Sequence, residues 1–197
     1  GPRRGLTTAQ VASIATNDIP VMTTAQVAAL TSGQVAALTS MQLAKLTNAQ
    51  LAAIDAADID DITTAAIKGL TTAHVVALST DQAAALTASQ VAALTTLQIK
   101  ALDTDDIQQL GTAQIAALTT AQAASLTSAQ LAALSTTQLV AMDTADIGAL
   151  ADAAIKGLST GQVAALSAGQ VGALTSSQLA ALSTAQIAAI DAADIPS

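Results

Sequence analysis

Carboxylates recur in this chain at a fixed spacing. Four stretches pair them three residues apart: Asp55-Ala56-Ala57-Asp58-Ile59, Asp103-Thr104-Asp105-Asp106-Ile107, Asp143-Thr144-Ala145-Asp146-Ile147 and Asp191-Ala192-Ala193-Asp194-Ile195. A fifth, Asn17-Asp18-Ile19, has Asp at the second site only, and Asp60 and Asp61 add charge beside the first pair. Two carboxyl groups so placed suit general acid/base work if their environments separate their pKa values. They also suit Ca²⁺, which takes about six to eight oxygen ligands. Neither chemistry is complete here. No Asp-x-Asp-x-Asp-Gly loop is present, and acid/base work needs a pocket that near-identical repeats do not announce. Asp is also a favoured helix cap, stabilised near a helix N-terminus by the exposed amides and the dipole. We read the pairs as caps.

The single histidine, His74, excludes a multi-histidine metal site and leaves room for at most one Ser-His-Asp triad. We read it as a variant of the residue found there in other repeats. With no cysteine there is no disulfide scaffold, thiol nucleophile or thiolate-ligated metal. The net charge of −8 with only six basic residues argues against nucleic acid, which needs clustered Lys and Arg. Lys45, Lys68, Lys100 and Lys156 are isolated, and the two in the Ile-Lys-Gly corners, Lys68 and Lys156, are expected to point to solvent or to a nearby acidic octad. Gly1-Pro2-Arg3-Arg4-Gly5 reads as an expression scar (residues 1–5) and is set aside. Mean hydropathy is +0.55, yet no stretch approaches the roughly 20 apolar residues of a spanning helix, so no membrane insertion is expected. No catalytic, cofactor-binding or metal-binding residue is assigned, and an enzyme is not expected.

All these candidates sit in one repeating frame. From Leu6 the chain divides into octads beginning at 6, 14, 22 and so on to 190, which is 24 octads with no insertion. The consensus is Leu-Thr/Ser-Thr/Ser-x-Gln-Val/Leu/Ile-Ala-Ala, as in Leu126-Thr127-Ser128-Ala129-Gln130-Leu131-Ala132-Ala133. Residues 6–197 are read as a single octapeptide-repeat solenoid.

One continuous helix fails. Eight residues at about 100° each overshoot two turns by about 80°, so the Leu row would spiral around the helix. Nor would it explain the recurring Thr or Ser. A helix start explains every position. Thr31 as N-cap accepts from the amide of Gln34, and the Gln34 side chain returns a bond to the Thr31 amide, a capping box. Leu30 and Val35 then occupy the two positions of a hydrophobic staple. Each octad is a helix of about two turns, too short to stand alone in water, so neighbours must stabilise it laterally. Ala at positions seven and eight permits close approach. A β-solenoid is the rival, but Ala is depleted in strands and a capping box has no role there. The Thr and Ser rows are spent on capping rather than on an ice-binding face.

The acidic octads are the 2nd, 7th, 13th, 18th and 24th, in steps of 5, 6, 5 and 6. Octads 62–69 and 150–157, each ending Ile-Lys-Gly, lie 88 residues apart. This rhythm predicts about 5.5 repeats per superhelical turn, with octad n touching n+5 and n+6 and the acidic octads forming one line.

Octads such as Met22-Thr23-Thr24-Ala25-Gln26-Val27-Ala28-Ala29 and Leu118-Thr119-Thr120-Ala121-Gln122-Ala123-Ala124-Ser125 resemble the LTTAQ-type arrays of very large bacterial surface or secreted, adhesin-like proteins. The likeness covers octads 1 to 24. It implies an extracellular or cell-surface structural segment, a spacer, stalk or self-assembling fibre part. Its partners would be copies of itself or neighbouring repeat domains. An adhesive or Ca²⁺-dependent rod using the acidic line is the alternative.

Overall fold

The computed structural model describes residues 5–190. Most of the scar, and residues 191–197 of the last acidic octad with Asp191 and Asp194, lie outside them. The chain forms two compact units, Gly1–Leu94 and Thr95–Ser197, and the octad register runs unbroken through the sequence between them.

In each unit nearly every octad is one short helix. The first unit includes Thr24–Ala28, Ser32–Ala36 and Asn48–Ala52, and the second includes Thr96–Ala101, Thr120–Ser125 and Ser128–Ala133. More than half of the described residues are helical and none is in a strand. The capping box closes as the octad predicts. Gln50 N donates to Thr47 Oγ1 at 3.2 Å, and Thr47 N donates to Gln50 Oε1 at 2.8 Å. The pair Thr127 and Gln130 repeats it at 3.2 and 3.0 Å. Each helix ends where the next Leu turns extended, as at Leu126 with φ −60° and ψ 139°.

The apolar residues at positions one and six form the core of each unit. Leu43, Leu51 and Val75 in the first unit, and Ile99, Leu131 and Leu139 in the second, are wholly buried. Burying one such side chain stabilises by about 1.5–3 kcal/mol, which is what a single helix as short as Thr96–Ala101 lacks. The alanines at positions seven and eight are mostly half-exposed or exposed rather than core.

The stacking interval corrects the expected superperiod. Helix Thr96–Ala101 packs on Thr120–Ser125, which packs on Thr144–Ala149, which packs on Ala168–Ala173. In the first unit Ser32–Ala36 packs on the segment Ala56–Asp61, and that on Thr80–Ala85. The partner is three octads away, not five or six. Side-chain bonds between turns span 28 and 31 residues, so one turn takes about 28 residues, or about 3.5 octads. Asp18 and Asp58, like Asp106 and Asp146, are 40 residues apart, which is about 1.4 turns. The members of each pair therefore face different sides of their unit and do not form a line. A turn closes when enough short helices surround a core filled by two aliphatic side chains per octad. The Asp rhythm records which octads lack Gln, and this does not set that number.

Candidate functional site

The most heavily used side chain is the glutamine at position five. It is polar, yet Gln42, Gln50, Gln82, Gln130 and Gln170 are only 1–3% exposed. Burial of an amide is tolerated when its donors and acceptor are all met. The Oε1 acceptor is met by the N-cap amide of its own helix. The Nε2 donor reaches the turn before: Gln130 Nε2 donates to the carbonyls of Ile99 and Leu102, both at 2.8 Å. Gln162 does the same to Leu131 and Leu134 at 2.8 and 2.7 Å, and Gln50 to Ile19 and Met22 at 2.8 and 2.7 Å.

Those carbonyls close the C-terminal end of a short helix, where backbone acceptors run short of helical partners; Ile99 O also accepts from Leu102 N at 3.2 Å, so the amide adds a second bond there. One amide therefore caps the N-terminus of its own helix and the C-terminus of a helix one turn earlier. The bonds form a ladder along each unit, buried beside the aliphatic core.

His74 serves the same purpose. Its Nδ1 accepts from the Thr71 amide at 3.2 Å, and its Nε2 lies 2.7 Å from the Leu46 carbonyl, 28 residues back. These partners assign the neutral Nε2–H tautomer. It is a cap variant, as its position in the octad suggested, and it is 4% exposed.

The acidic octads cannot serve that purpose when ionised, because a carboxylate has no donor. Asp103 accepts from Asp106 N at 2.8 Å, and Asp55 and Asp143 accept from Ala57 N and Ala145 N at 3.1 and 3.4 Å. The first member of each of the three described pairs is a cap, as read. The second differs. Asp106 is 1% exposed, and neither carboxylate oxygen has a hydrogen-bond partner among the described residues. Burial first, then the charges of Asp103 and Asp105, push its carboxyl up to about 6 against the weaker opposing pull of the nearby Asp103 backbone. Burial also raises Asp146, helped by Asp143 and opposed by a bond to the Thr120 hydroxyl. Asp58 escapes burial by lying half-exposed in the 3-10 segment Ala56–Asp61. Among the described residues no group of three or more His or Asp side chains is placed to hold a metal ion.

The Ile-Lys-Gly octads follow from contact between turns. A Cβ on Gly69 would lie 2.0 Å from the Ser40 carbonyl oxygen, and one on Gly157 would lie 2.2 Å from that of Ser128. Backbone meets backbone there, 29 residues apart in both cases, and only glycine fits. Lys45, Lys68, Lys100 and Lys156 are exposed; for Lys68 and Lys156 this is one of the two expected placements. In the second unit a shallow depression of about 410 Å³ crosses Leu97, Lys100, Ala124, Thr127 and Ala151. It is open and lined mainly by small residues, without a convergent set of polar groups.

No helix among the described residues is long and apolar enough to cross a membrane. The class these features define is an α-solenoid repeat protein, built from capped short helices and held between turns by side-chain amides. Five stretches, residues 11–48, 51–88, 68–96, 99–136 and 139–176, match the ALTTAQ repeat family. They span most of the chain, which belongs to that family. A comparison with curated proteins finds no match.

Proposed function

We propose that this array is a non-enzymatic structural segment, a spacer or stalk, of a large bacterial surface or secreted protein, and that it associates with like arrays. One observation carries the reading: the position-two hydroxyls and position-five amides of the interior octads are taken up in capping the chain's own backbone. Thr127 and Gln130 together meet their own helix end and two carbonyls of the turn before. Such a unit adds length without adding a site, and stability accrues from neighbour to neighbour. The family match supports the repeat character. The surface location follows the resemblance and is part of the proposal.

Small-angle scattering on arrays of 24 and 48 octads tests the spacer. The maximum dimension should about double, as neighbour-only contacts require. A particle that grows in all directions would overturn it. Protease shaving of intact source cells tests the location. The array should be cut before the cells lyse, and protection until lysis would refute a surface stalk.

A further inference from the structure

The amide ladder of the second unit is interrupted where position five is not Gln. Gln130, Gln138, Gln162, Gln170 and Gln178 each donate to carbonyls 31 and 28 residues back. In the same register Asp146 stands opposite the carbonyls of Ile115 and Leu118, with no side-chain amide to offer them. Its helix, Thr144–Ala149, packs on Thr120–Ser125, which follows those carbonyls directly. The Asp146 side chain is 3% exposed, and its carboxyl reaches the Thr120 hydroxyl of that earlier turn.

An ionised carboxylate is mismatched to this place. The amide of Gln brings two N–H donors to the preceding turn, whereas a carboxylate brings none and sets oxygen against oxygen. The two helices packed on Thr144–Ala149, Thr120–Ser125 before it and Ala168–Ala173 after it, contain no titratable side chain. Asp143, the N-cap of the same helix, adds a like charge, and Asp152, in the next helix, is exposed. A carboxylic acid has what the carboxylate lacks, one O–H donor. The Thr120 hydroxyl tolerates both forms, because it donates to the anion and accepts from the acid.

We propose that a proton on Asp146 supplies the missing rung, its O–H donating to the Leu118 carbonyl, so that this joint between turns closes in acid and loosens when the carboxyl ionises. One proton makes one bond, and Leu118 is the partner because the Ile115 carbonyl already accepts from Leu118 N at 3.2 Å. The bond runs to the preceding turn, so the switch acts on the stacking of turns and leaves the capped helices themselves intact. Burial holds this carboxyl above the ordinary Asp range, so the folded chain keeps the proton to a higher pH than the unfolded chain does. The closed joint is fully present below the unfolded value and is lost as pH rises through the folded one.

The test is amide hydrogen exchange on the whole chain at about pH 4.5 and about pH 8, corrected for the intrinsic rate, which reads local opening stretch by stretch. In the wild type, Thr120–Ser125 and Thr144–Ala149 should be about fivefold better protected in acid, the worth of one hydrogen bond. Thr160–Ala164, joined to the turn before by Gln162, should not share that gain. Asp146→Gln restores the full rung and should be protected equally at both pH values. Gln162→Asp should carry the switch to a new joint, making the stacking on Leu131 and Leu134 acid-dependent in the same direction. Thr120→Val removes the donor that favours the anion and should raise the midpoint of Asp146, read from its carboxyl ¹³C shift. Wild-type protection at Thr120–Ser125 that does not change with pH overturns the proposal, as does a pH dependence there that survives Asp146→Gln. Should Gln162→Asp fail to fold, those two measurements still decide it.

Discussion

Replacing Gly157 by alanine measures how closely two turns approach. The new Cβ would lie 2.2 Å from the Ser128 carbonyl oxygen, 2.8 Å from its carbon and 2.9 Å from its Cα. All three atoms are backbone, so no side-chain rotation relieves the clash. An ordinary contact begins near 3.4 Å, so the turns must separate by about 1 Å, against the close packing of the interior. Strain of this kind costs about 1–3 kcal/mol. The entropy removed from the unfolded chain returns about 0.4–1 kcal/mol. The net loss is about 1–2 kcal/mol, or roughly 2–8 °C in Tm for a chain of this size. Gly33→Ala is the matched control. Its Cβ would meet only Thr8 Cγ2, at 3.6 Å, and it lies inside the helix Ser32–Ala36, so it should raise stability by about 0.5–1 kcal/mol. Thermal melts of the three proteins at 222 nm decide it. If Gly157→Ala is neutral or stabilising alongside Gly33→Ala, the backbones do not touch and the account of the Ile-Lys-Gly octads is wrong.

The remaining expectations concern the amide ladder. Gln130→Leu removes the side-chain bonds to the Ile99 and Leu102 carbonyls and to the Thr127 amide and should cost about 2–4 kcal/mol, whereas Gln10→Leu, exposed and without a bond to another turn, should cost about 1 kcal/mol. Equal losses in urea titrations would deny the inter-turn bonds. His74→Gln should leave stability within about 0.5 kcal/mol, and His74→Leu should lower it as Gln130→Leu does; a large loss with Gln would show that the ring is needed for something else. Because the folded carboxyl of Asp106 sits at about 6, above its unfolded value near 3.9, the folded chain binds more protons between those values. That contribution is fully present below about pH 4 and is lost as pH rises through about 6. Asp146 acts in the same direction. Tm should therefore fall over that window in the wild type and fall less in Asp106→Asn with Asp146→Asn; identical slopes would refute the assignment.

Local structure was legible in the residues themselves. A hydroxyl at position two, Gln at position five and aliphatics flanking them define a capped helix start, because every partner lies within three or four residues. The exclusion of strand followed from the same octad. The buried positions one and six were legible as the staple pair, and the alternation of helix and break as the Thr or Ser that restarts each helix.

What tertiary structure decided was the length of the turn. Nothing within an octad says whether its neighbours recur after 28 residues or after 44, since that depends on how many helices close around the core. The recurrence of Asp octads suggested the longer interval and was misleading, because those octads vary a partner rather than mark an azimuth. The second duty of the glutamine was hidden for the same reason: Gln130 meets Ile99 and Leu102 only once the chain has come full circle. A trace of it was nonetheless written in the composition. Glu closes a capping box as well as Gln does, yet the chain contains no Glu at all. Glu has the acceptor that the box needs and lacks the donor that the preceding turn requires.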